Sequence, residues 1–568
     1  MLQLKTNVST IAASVALMYS SNLIFADADI QHEESCTVER CVTDTTKPDG
    51  TWVGGYYSSW SYWQGGASVK DLSMIQEAAG SANYMVYAFL GITTNKTLKD
   101  KKALYNGTVI LNDQQQGAPG TVVDTEALAD RIAAGKSTVC PAFPDDQSAC
   151  SNSSASTYMK HYAKASMDKT ILLASIGGWS YTPRFNEFYR DYKANPRVLD
   201  RFINSTENWL KGHPEFSGIS VDWEYPGYGH GDSHKGHEGE GKLYTEMITQ
   251  LRVMLDNLKA AKNKRYYLTT AVVASAKKAK GQAKQGVDWQ KVANSVDWLD
   301  LMAFDLHGEF DAAAPKDQAV AQSMSAPKEL QEAINYYTQT GKVPARKIIL
   351  GMPAYAREML IADEPTECNQ YGYFGNLKYP GFQDYADAFK KTYYHGKPGY
   401  YDYQDNPNPE PYYPAGGMVD FTGAYHYQCF LSIVTEGKAK DNCYVLENRD
   451  NRGALGQLPP EELRLSYPEE LTLSYPEVNI AWLSGSKKNV AANFAGAPSS
   501  GASYPAYPVF TLDTQKVVSE KAEKLVKANN LGGMWFWELT GDALKSPKYS
   551  LFLQACKQLG HKGKCLTH

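Results

Sequence analysis

The sequence lacks two features that would suggest a nucleic-acid or membrane partner. Its 57 lysine and arginine residues are outnumbered by 62 aspartate and glutamate residues, and the basic residues are scattered. A protein that binds phosphate backbones usually has a basic excess, so we expect no nucleic-acid partner. After the N-terminal segment, no uninterrupted apolar stretch is long enough to span a bilayer, so we predict no membrane span.

The nine cysteines include no Cys-x-x-Cys pair, and no histidine lies at zinc-finger spacing. The sequence therefore predicts no zinc site. Local pairs of cysteines are typical of disulfides formed in an oxidising compartment. The pairs are Cys36 with Cys41, Cys140 with Cys150, Cys429 with Cys443, and Cys556 with Cys565, while Cys368 stands apart. Their connectivity stays open, and the odd number leaves at least one thiol free or paired between chains.

The N-terminal segment has the pattern of an export signal. Lys5 is the only charge before an apolar run at residues 8–26, and Ala26 and Ala28 form a small-x-small cleavage site. Polar residues dilute the run, so an ordinary N-terminal helix is the alternative. We favour a secreted or exported protein, with a signal peptide at residues 1–28 and an N-terminal extension at 29–52.

Short apolar runs recur along the chain, separated by helix-like stretches. Such runs are typical of parallel strands buried on both faces. Eight of them, with helices between most, predict an α/β protein with a (β/α)8, or TIM, barrel. The predicted strands lie at residues 53–57, 84–90, 170–176, 218–223, 267–273, 298–304, 347–352 and 533–538.

The spacing of these runs also predicts the domain organisation. The seventh and eighth strands are too far apart for a single helix, and the residues between them are rich in Tyr, Pro and Gly, which favours strands and turns. We therefore predict a first barrel segment at 53–357 with a loop insertion at 93–167. An insertion domain follows at 358–509, and the second barrel segment and C-terminal tail occupy 510–568.

The segment at residues 216–227 carries the candidate chemistry. Side chains alternate along a strand, so Ser220, Asp222 and Glu224 share one face, and Pro226 then ends the strand. This places Glu224 at the carboxyl end, where TIM barrels hold their active sites. Burial and an ionised Asp222 roughly 6–7 Å away would raise the pKa of Glu224, as a general acid requires. The alternative is an exposed polar pair at a strand end.

This segment resembles the Asp-x-x-Asp-x-Asp-x-Glu signature of family 18 glycoside hydrolases. Further segments resemble motifs of the same family, in the order of its strands. They lie at residues 54–60, 174–179, 302–305, 351–357 and 532–537. The family also carries an α+β insertion between its seventh and eighth strands, where this chain has its long module.

The resemblance implies a bacterial chitinase that hydrolyses β-1,4 links between N-acetylglucosamine units of chitin or chito-oligosaccharides. It implies a retaining, substrate-assisted mechanism through an oxazolinium ion, without metal or cofactor. Glu224 would act as acid and then base, and Asp222 would orient the acetamide. The implied substrate-binding residues are Tyr56, Trp60, Gly177, Gly178, Trp179, Tyr225, Met302, Asp305, Tyr355, Arg357 and Trp537.

Single aromatic residues of this set have core packing as their alternative role. Trp223, between the two carboxylates, points off the inward face and is expected to be structural. Trp537 would form the floor beneath the sugar that is cleaved.

The sequence departs from the family pattern at three positions. The first two signature aspartates are Ser217 and Ser220, and the tyrosine of the sixth strand is Phe304. Because serine cannot hold charge, we expect Asp222 to stay ionised, with a lowered pKa, and to point towards Glu224. Phe304 lacks a hydroxyl for the acetamide oxygen, and we expect Tyr355 to compensate.

Two other functions stay open. One is an endo-β-N-acetylglucosaminidase acting on N-glycans by the same mechanism. The other is a non-catalytic binding or scaffold protein. The weak signal and the unusual serines resemble chitinase subunits of bacterial insecticidal toxin complexes, so the chain could be both an enzyme and a subunit of a larger complex.

Overall fold

The computed structural model describes residues 51–58, 82–94, 170–228, 236–307, 323–357, 511–544 and 549–560. The backbone alone is described at 122–123, 358–361, 424–426, 480–482, 488–491 and 503–510. The predicted export signal, the N-terminal extension to residue 50, Trp60 and every cysteine except Cys556 lie outside the described residues. Cys556 is buried in the hydrophobic core.

Apolar runs form the described strands, and most of these strands are buried on both faces. In chain order they are β1 (Trp52–Ser58), β2 (Tyr84–Ile92), β3 (Val122–Val123), β4 (Ile171–Gly177), β5 (Gly218–Asp222), β6 (Tyr267–Val273), β7 (Trp298–Met302), β8 (Ile348–Pro353), β9 (Tyr355–Ile361), β10 (Ala424–His426), β11 (Ile480–Trp482), β12 (Lys488–Ala491), β13 (Ser503–Leu512) and β14 (Gly533–Trp537).

Eight of these strands form a closed parallel barrel. The hydrogen-bonded order is β1-β14-β8-β7-β6-β5-β4-β2, and β2 pairs again with β1 to close the ring. Parallel pairing requires a crossover between successive strands, and helices supply most of the described crossovers. The predicted TIM barrel is therefore confirmed.

The helices surround the barrel and turn one apolar face towards it. Within the described residues they are α1 (Thr182–Ala194), α2 (Arg197–Gly212), α3 (Glu240–Lys262), α4 (Ala276–Lys284), α5 (Trp289–Ser295), α6 (Pro327–Asn335), α7 (Gln515–Lys521) and α8 (Leu551–Gln558). The caps follow from sequence: Ser275 and Asp288 accept backbone N–H groups at the starts of α4 and α5. No described helix is both long and apolar enough to cross a membrane.

Strand alternation divides the core into two parts. On β7, Leu299 and Leu301 join the large outer cluster between strands and helices. Trp298 faces the barrel interior, where its ring stacks on that of Trp52 with centroids 4.8 Å apart. Asp300 lies on the same inward face as Trp298, which places a carboxyl group inside the barrel.

The chain between β8 and β14 contains an antiparallel sheet. Its order is β10-β9-β13-β11, and β12 pairs with β13. The Tyr- and Pro-rich composition indicated strands in this interval. The sheet starts at Tyr355 and ends at Leu512, so it extends beyond residues 358 and 509 on both sides. The division into domains stays a prediction.

All eight predicted barrel strands are found, with ends that differ by at most two residues. The predicted strand at residues 298–304 ends at Met302, and Asp305 has a left-handed backbone with φ of 53°. The predicted strand at 218–223 ends at Asp222, so Glu224 lies in the segment that follows the strand. Alternation along the strand therefore explains the placement of Asp222 but not that of Glu224.

Closure of the barrel requires a residue without a side chain at position 533, which is Gly533. A Cβ atom there would lie 1.9 Å from the carbonyl oxygen of Trp52, at a φ of 152°. We expect Gly533→Ala to destabilise the protein by about 1–3 kcal/mol, because neither backbone can move aside. Gly212→Ala is the control, since a Cβ at Gly212 meets nothing within 4 Å at the end of α2. Thermal unfolding checks the pair, and equal midpoints would contradict the prediction.

Candidate active site

The two candidate catalytic carboxyl groups lie together at the carboxyl end of β5. Asp222 is the last residue of the strand and is 4% exposed, while Glu224 is 9% exposed. Trp223 between them points outward, stacked on Phe185 with ring centroids 4.7 Å apart. The predicted structural role of Trp223 agrees with this position.

Backbone contacts hold Glu224 in place. The Glu224 N–H donates to the hydroxyl of Thr182 at 2.9 Å, and that hydroxyl donates to the carbonyl of Gly178 at 3.1 Å. Thr182 is the first residue of α1 and is fully buried. The segment that bears the acid is thus tied to the helix that follows β4.

Gly177 and Gly178 let β4 approach the end of β5 closely. Gly178 N–H donates to the Asp222 carbonyl at 2.8 Å. A Cβ on Gly177 would lie 2.0 Å from that carbonyl oxygen, and one on Gly178 would lie 2.6 Å from the ring of Phe89. Both glycines also have positive φ. These contacts assign the two glycines a part in positioning Asp222.

Burial dominates the electrostatics of Glu224 and raises its pKa to about 7. A hydrogen bond with Tyr225 and the charge of Lys278 act in the opposite direction, while the charge of Asp305 raises the pKa further. Lys278 also lies over the ring of Tyr225, 5.5 Å from its centroid. A carboxyl group with this pKa carries a proton in a large fraction of molecules at neutral pH.

The prediction that the pKa of Asp222 is lowered is wrong. Burial, then the charge of Glu224, and then the charge of Asp300 raise it well above its ordinary value. Replacing the signature aspartate by Ser220 removed one charge, but Asp300 places another inside the barrel. The Oδ1 atom of Asp222 accepts no hydrogen bond from the described residues.

Aromatic side chains surround the mouth of the barrel. Trp537 ends β14 and lies 5.6 Å from Tyr56 and 5.7 Å from Phe89 between ring centroids. Tyr56 is buried, so it lies deeper in the barrel. Trp179 follows Gly178 and is 45% exposed, which leaves its ring accessible to a ligand. Phe89 was not among the site residues predicted from the sequence.

The ends of β7 and β8 contribute a second group of predicted residues. Met302 is buried at the end of β7. Arg357 donates from Nε to Asp305 at 2.6 Å, which fixes the exposed aspartate on the buried arginine. Tyr355 is buried in a small cluster with Phe304 and Trp537, and its ring centroid is 6.2 Å from that of Phe304.

Besides Phe89, four residues near the site were missed by sequence reasoning: Thr182, Lys278, Asp300 and Glu538. Glu538 accepts the Ser58 N–H at 3.0 Å and so joins the ends of β1 and β14. A Glu directly after the apolar run that ends at Trp537 was a signal in the sequence, because acids are rarely buried unless they are paired. Thr182 and Lys278 carried no comparable signal. Among the described residues, no group of three or more His, Cys, Asp or Glu side chains could hold a metal ion.

The closed parallel barrel, with a buried carboxyl pair at its carboxyl end, defines a protein of the (β/α)8-barrel class. The chain belongs to the glycosyl hydrolases of family 18, whose profile it matches over residues 53–542. The resemblance read from the sequence motifs is therefore confirmed.

Individual relatives match part of their length. The chain is 31% identical over 200 residues to Chitinase A1 of Niallia circulans, covering 33% of this chain and 26% of that protein. It is 26% identical over 368 residues to Chitinase 2 of Yersinia entomophaga, covering 57% of this chain and 55% of that protein. The chain thus spans 26% of the length of the first curated relative and 55% of the length of the second.

Solved structures share the fold. Chitinase ChiA74 from Bacillus thuringiensis matches with a TM-score of 0.54 and 20% identity, covering 90% of this chain and 70% of that chain. The catalytic domain of a psychrophilic chitinase B from Arthrobacter TAD20 matches with a TM-score of 0.51 and 15% identity, over 90% and 96% of the two chains.

The hydroxyl of Thr182 provides a test of how Glu224 is held. We expect Thr182→Val to lower kcat on a chito-oligosaccharide about tenfold or more, because the Glu224 N–H loses its acceptor and the acid shifts. Thr206→Val is the matched control: Thr206 is equally buried and donates to Phe202 within α2 at 2.8 Å. It should lose about 1 kcal/mol of stability with no change in kcat. Equal kcat values in the two variants would contradict the prediction.

Proposed function

We propose that this protein is a chitinase that cleaves the β-1,4 links of chitin or chito-oligosaccharides by a retaining, substrate-assisted mechanism. The observation that carries the proposal is the buried Glu224, whose pKa is about 7, beside the buried Asp222 at the carboxyl end of the barrel. Membership of glycosyl hydrolase family 18 and the similarity to several chitinases support the substrate class.

In the first step, Glu224 donates its proton to the glycosidic oxygen as the bond from that oxygen to the anomeric carbon breaks. The acetamide oxygen of the same sugar forms a bond to the anomeric carbon, giving an oxazolinium ion. Asp222 accepts the acetamide N–H and stabilises the positive charge. The absence of a described partner for Asp222 Oδ1 supports this role, because a buried acceptor of this kind gains from a ligand donor.

In the second step, Glu224 is the base. It takes a proton from a water molecule, whose oxygen attacks the anomeric carbon while the bond to the acetamide oxygen breaks. The acetamide is restored and Glu224 is protonated again. The acetamide oxygen attacks from the face opposite the leaving group, and water then attacks from the face opposite the acetamide oxygen. The two inversions together retain the anomeric configuration, so this scheme needs no second carboxylate as nucleophile.

The positions of the side chains support the proposed sugar contacts. Trp537 forms the floor beneath the sugar that is cleaved, and Tyr355 lies close to that floor. Tyr355 supplies the hydroxyl that Phe304 lacks, since the two rings are in contact. Asp305, held by Arg357, is exposed and available to a sugar hydroxyl. Trp179 offers its exposed ring to a neighbouring sugar unit.

Export of the protein and its membership of a larger complex stay predictions of the sequence. Residues 1–50 and the segments between the described parts of the chain lie outside the structure. Size-exclusion chromatography of native material tests the second prediction.

Exchange of Glu224 is the direct test of the function. The wild-type protein should hydrolyse chito-hexaose with retention and leave unacetylated cello-hexaose intact, because glucose units have no acetamide nucleophile. Glu224→Gln should lower kcat on chito-hexaose by about 10³-fold or more, since no group can protonate the leaving oxygen.

Glu240→Gln is the matched control for this test. Glu240 is also a buried carboxyl group with a pKa raised to about 7 by burial, and it accepts the Gly227 N–H at 2.9 Å. Glutamine keeps that acceptor, so turnover should be retained. Unchanged hydrolysis by Glu224→Gln would sink the proposal. Release of glycans from a glycoprotein, with no activity on chito-hexaose, would favour the endo-β-N-acetylglucosaminidase instead.

The pKa of Glu224 sets the pH dependence. Because the acid must be protonated, kcat/KM should be high below about pH 7 and should fall as the pH rises through that value. Lys278→Met removes a positive charge that lowers this pKa, so the basic limb of the pH profile of kcat/KM should move to higher pH. Lys280→Met, on the exposed side of the same helix, is the control and should leave the limb in place. A limb that does not move in Lys278→Met would contradict the assignment.

A further inference from the structure

A buried carboxyl group that the proposed mechanism does not use lies inside the barrel. Asp300 is at the middle of β7 and has no exposed surface. It accepts hydrogen bonds from the hydroxyl of Tyr84 at 2.9 Å, the indole N–H of Trp298 at 3.1 Å and the hydroxyl of Tyr56 at 3.3 Å. The donors come from three different strands, so the site is assembled by the closed barrel.

A hydrogen-bonded path leads from Asp300 to the catalytic strand. The hydroxyl of Tyr56, which contacts Asp300, also contacts the hydroxyl of Ser220 at 3.2 Å. Ser220 lies two residues before Asp222 on the inward face of β5. Asp300 is therefore connected to the position where the family signature has its missing aspartate.

Burying the negative charge of Asp300 lowers the stability of the barrel. Its three donors are neutral, so none of them offsets a negative charge, and burial raises the pKa of Asp300 to about 7 against the effect of these hydrogen bonds. An asparagine would fill nearly the same volume and carry no charge. Keeping an acid here has no advantage for packing, which points to a use for its charge.

We propose that Asp300 is a positioning residue that supplies, from β7, the negative charge behind Asp222 that other family members place at the position of Ser220. This inference rests on the proposed function, in which Asp222 orients the acetamide. The charge of Asp300 favours the protonated form of Asp222 before the substrate binds, and the Asp222–Glu224 pair then keeps its proton to higher pH.

The titratable groups around Asp300 decide what a pH experiment reports. Tyr56 and Tyr84 face it from β1 and β2, and Asp222 interacts with it from β5. Burial keeps the pKa of both tyrosines well above the ordinary value of 10, so both stay neutral over the pH range of the assay. Changes at Asp300 are therefore felt by the coupled pair of Asp222 and Glu224.

Asp300→Asn is the variant that tests this role. Removing the negative charge makes ionisation of the pair easier, so the basic limb of kcat/KM should move to lower pH by about one unit. At the pH optimum of the wild-type protein, kcat should fall about tenfold with a smaller change in KM. The thermal midpoint should be unchanged or higher, because the buried charge is removed.

A second pair of variants separates charge from structure. Ser220→Asp combined with Asp300→Asn returns a carboxyl group to the position next to Asp222, and should move the limb back and restore most of kcat. Ser220→Asn combined with Asp300→Asn has nearly the same shape without the charge and should not rescue. A purely structural Asp300 would lower activity without moving the limb, and the carboxyl group at 220 would not rescue it; this result would overturn the proposal.

A measurement without substrate distinguishes failure of this inference from failure of the proposed function. The infrared band of protonated carboxyl groups, assigned with Asp222→Asn, gives the titration midpoint of Asp222. The midpoint should fall in Asp300→Asn whether or not the protein hydrolyses chitin. If the wild-type protein did not hydrolyse chito-hexaose, only the proposed function would be contradicted. If the titration midpoint of Asp222 were the same in Asp300→Asn as in the wild-type protein, the proposed role of Asp300 would be contradicted.

Discussion

The close contact between the end of β4 and the carbonyl of Asp222 is the constraint on which the site depends. Gly178 donates its N–H to that carbonyl, and Gly177 leaves no room for a Cβ atom. The chain then turns into α1, whose first residue accepts the N–H of Glu224. Two successive barrel strands and a helix are thereby joined through backbone groups and the hydroxyl of Thr182, so the position of the acid does not require a dedicated ion pair.

The barrel interior combines this backbone frame with an unusual density of acid. Asp222, Glu224 and Asp300 are all buried, and burial raises the pKa of each. In such a low-dielectric region the charge of one carboxyl group strongly affects the next, so the three cannot all be ionised at neutral pH without large cost. The apolar shell between strands and helices, with residues such as Ile219 and Val221, supplies the stability that this arrangement requires.

The sequence predicted the barrel well because its strands are short, apolar and separated by helices, and this pattern depends only on local residues. It also placed Asp222 correctly, since alternation along β5 decides the face on which that side chain lies. It failed for the pKa of Asp222, because burial raises that pKa, and the charges of Glu224 and of Asp300, which lies two strands away in the barrel, raise it further. Contacts such as those of Thr182 and Lys278 depend on how separate elements meet, and a single sequence holds no local signal for them.

The ring of strands has a consequence for biosynthesis. β1 is completed by β14, and the bond from the Ser58 N–H to Glu538 joins residues 480 positions apart in the chain. A nascent chain that emerges from the ribosome in order therefore exposes an open, apolar-edged sheet until residues 533–538 have been translated. Because Trp537 also belongs to the last strand, the candidate site is completed only when the barrel closes, and an incomplete translation product would be an aggregation-prone open sheet without Trp537.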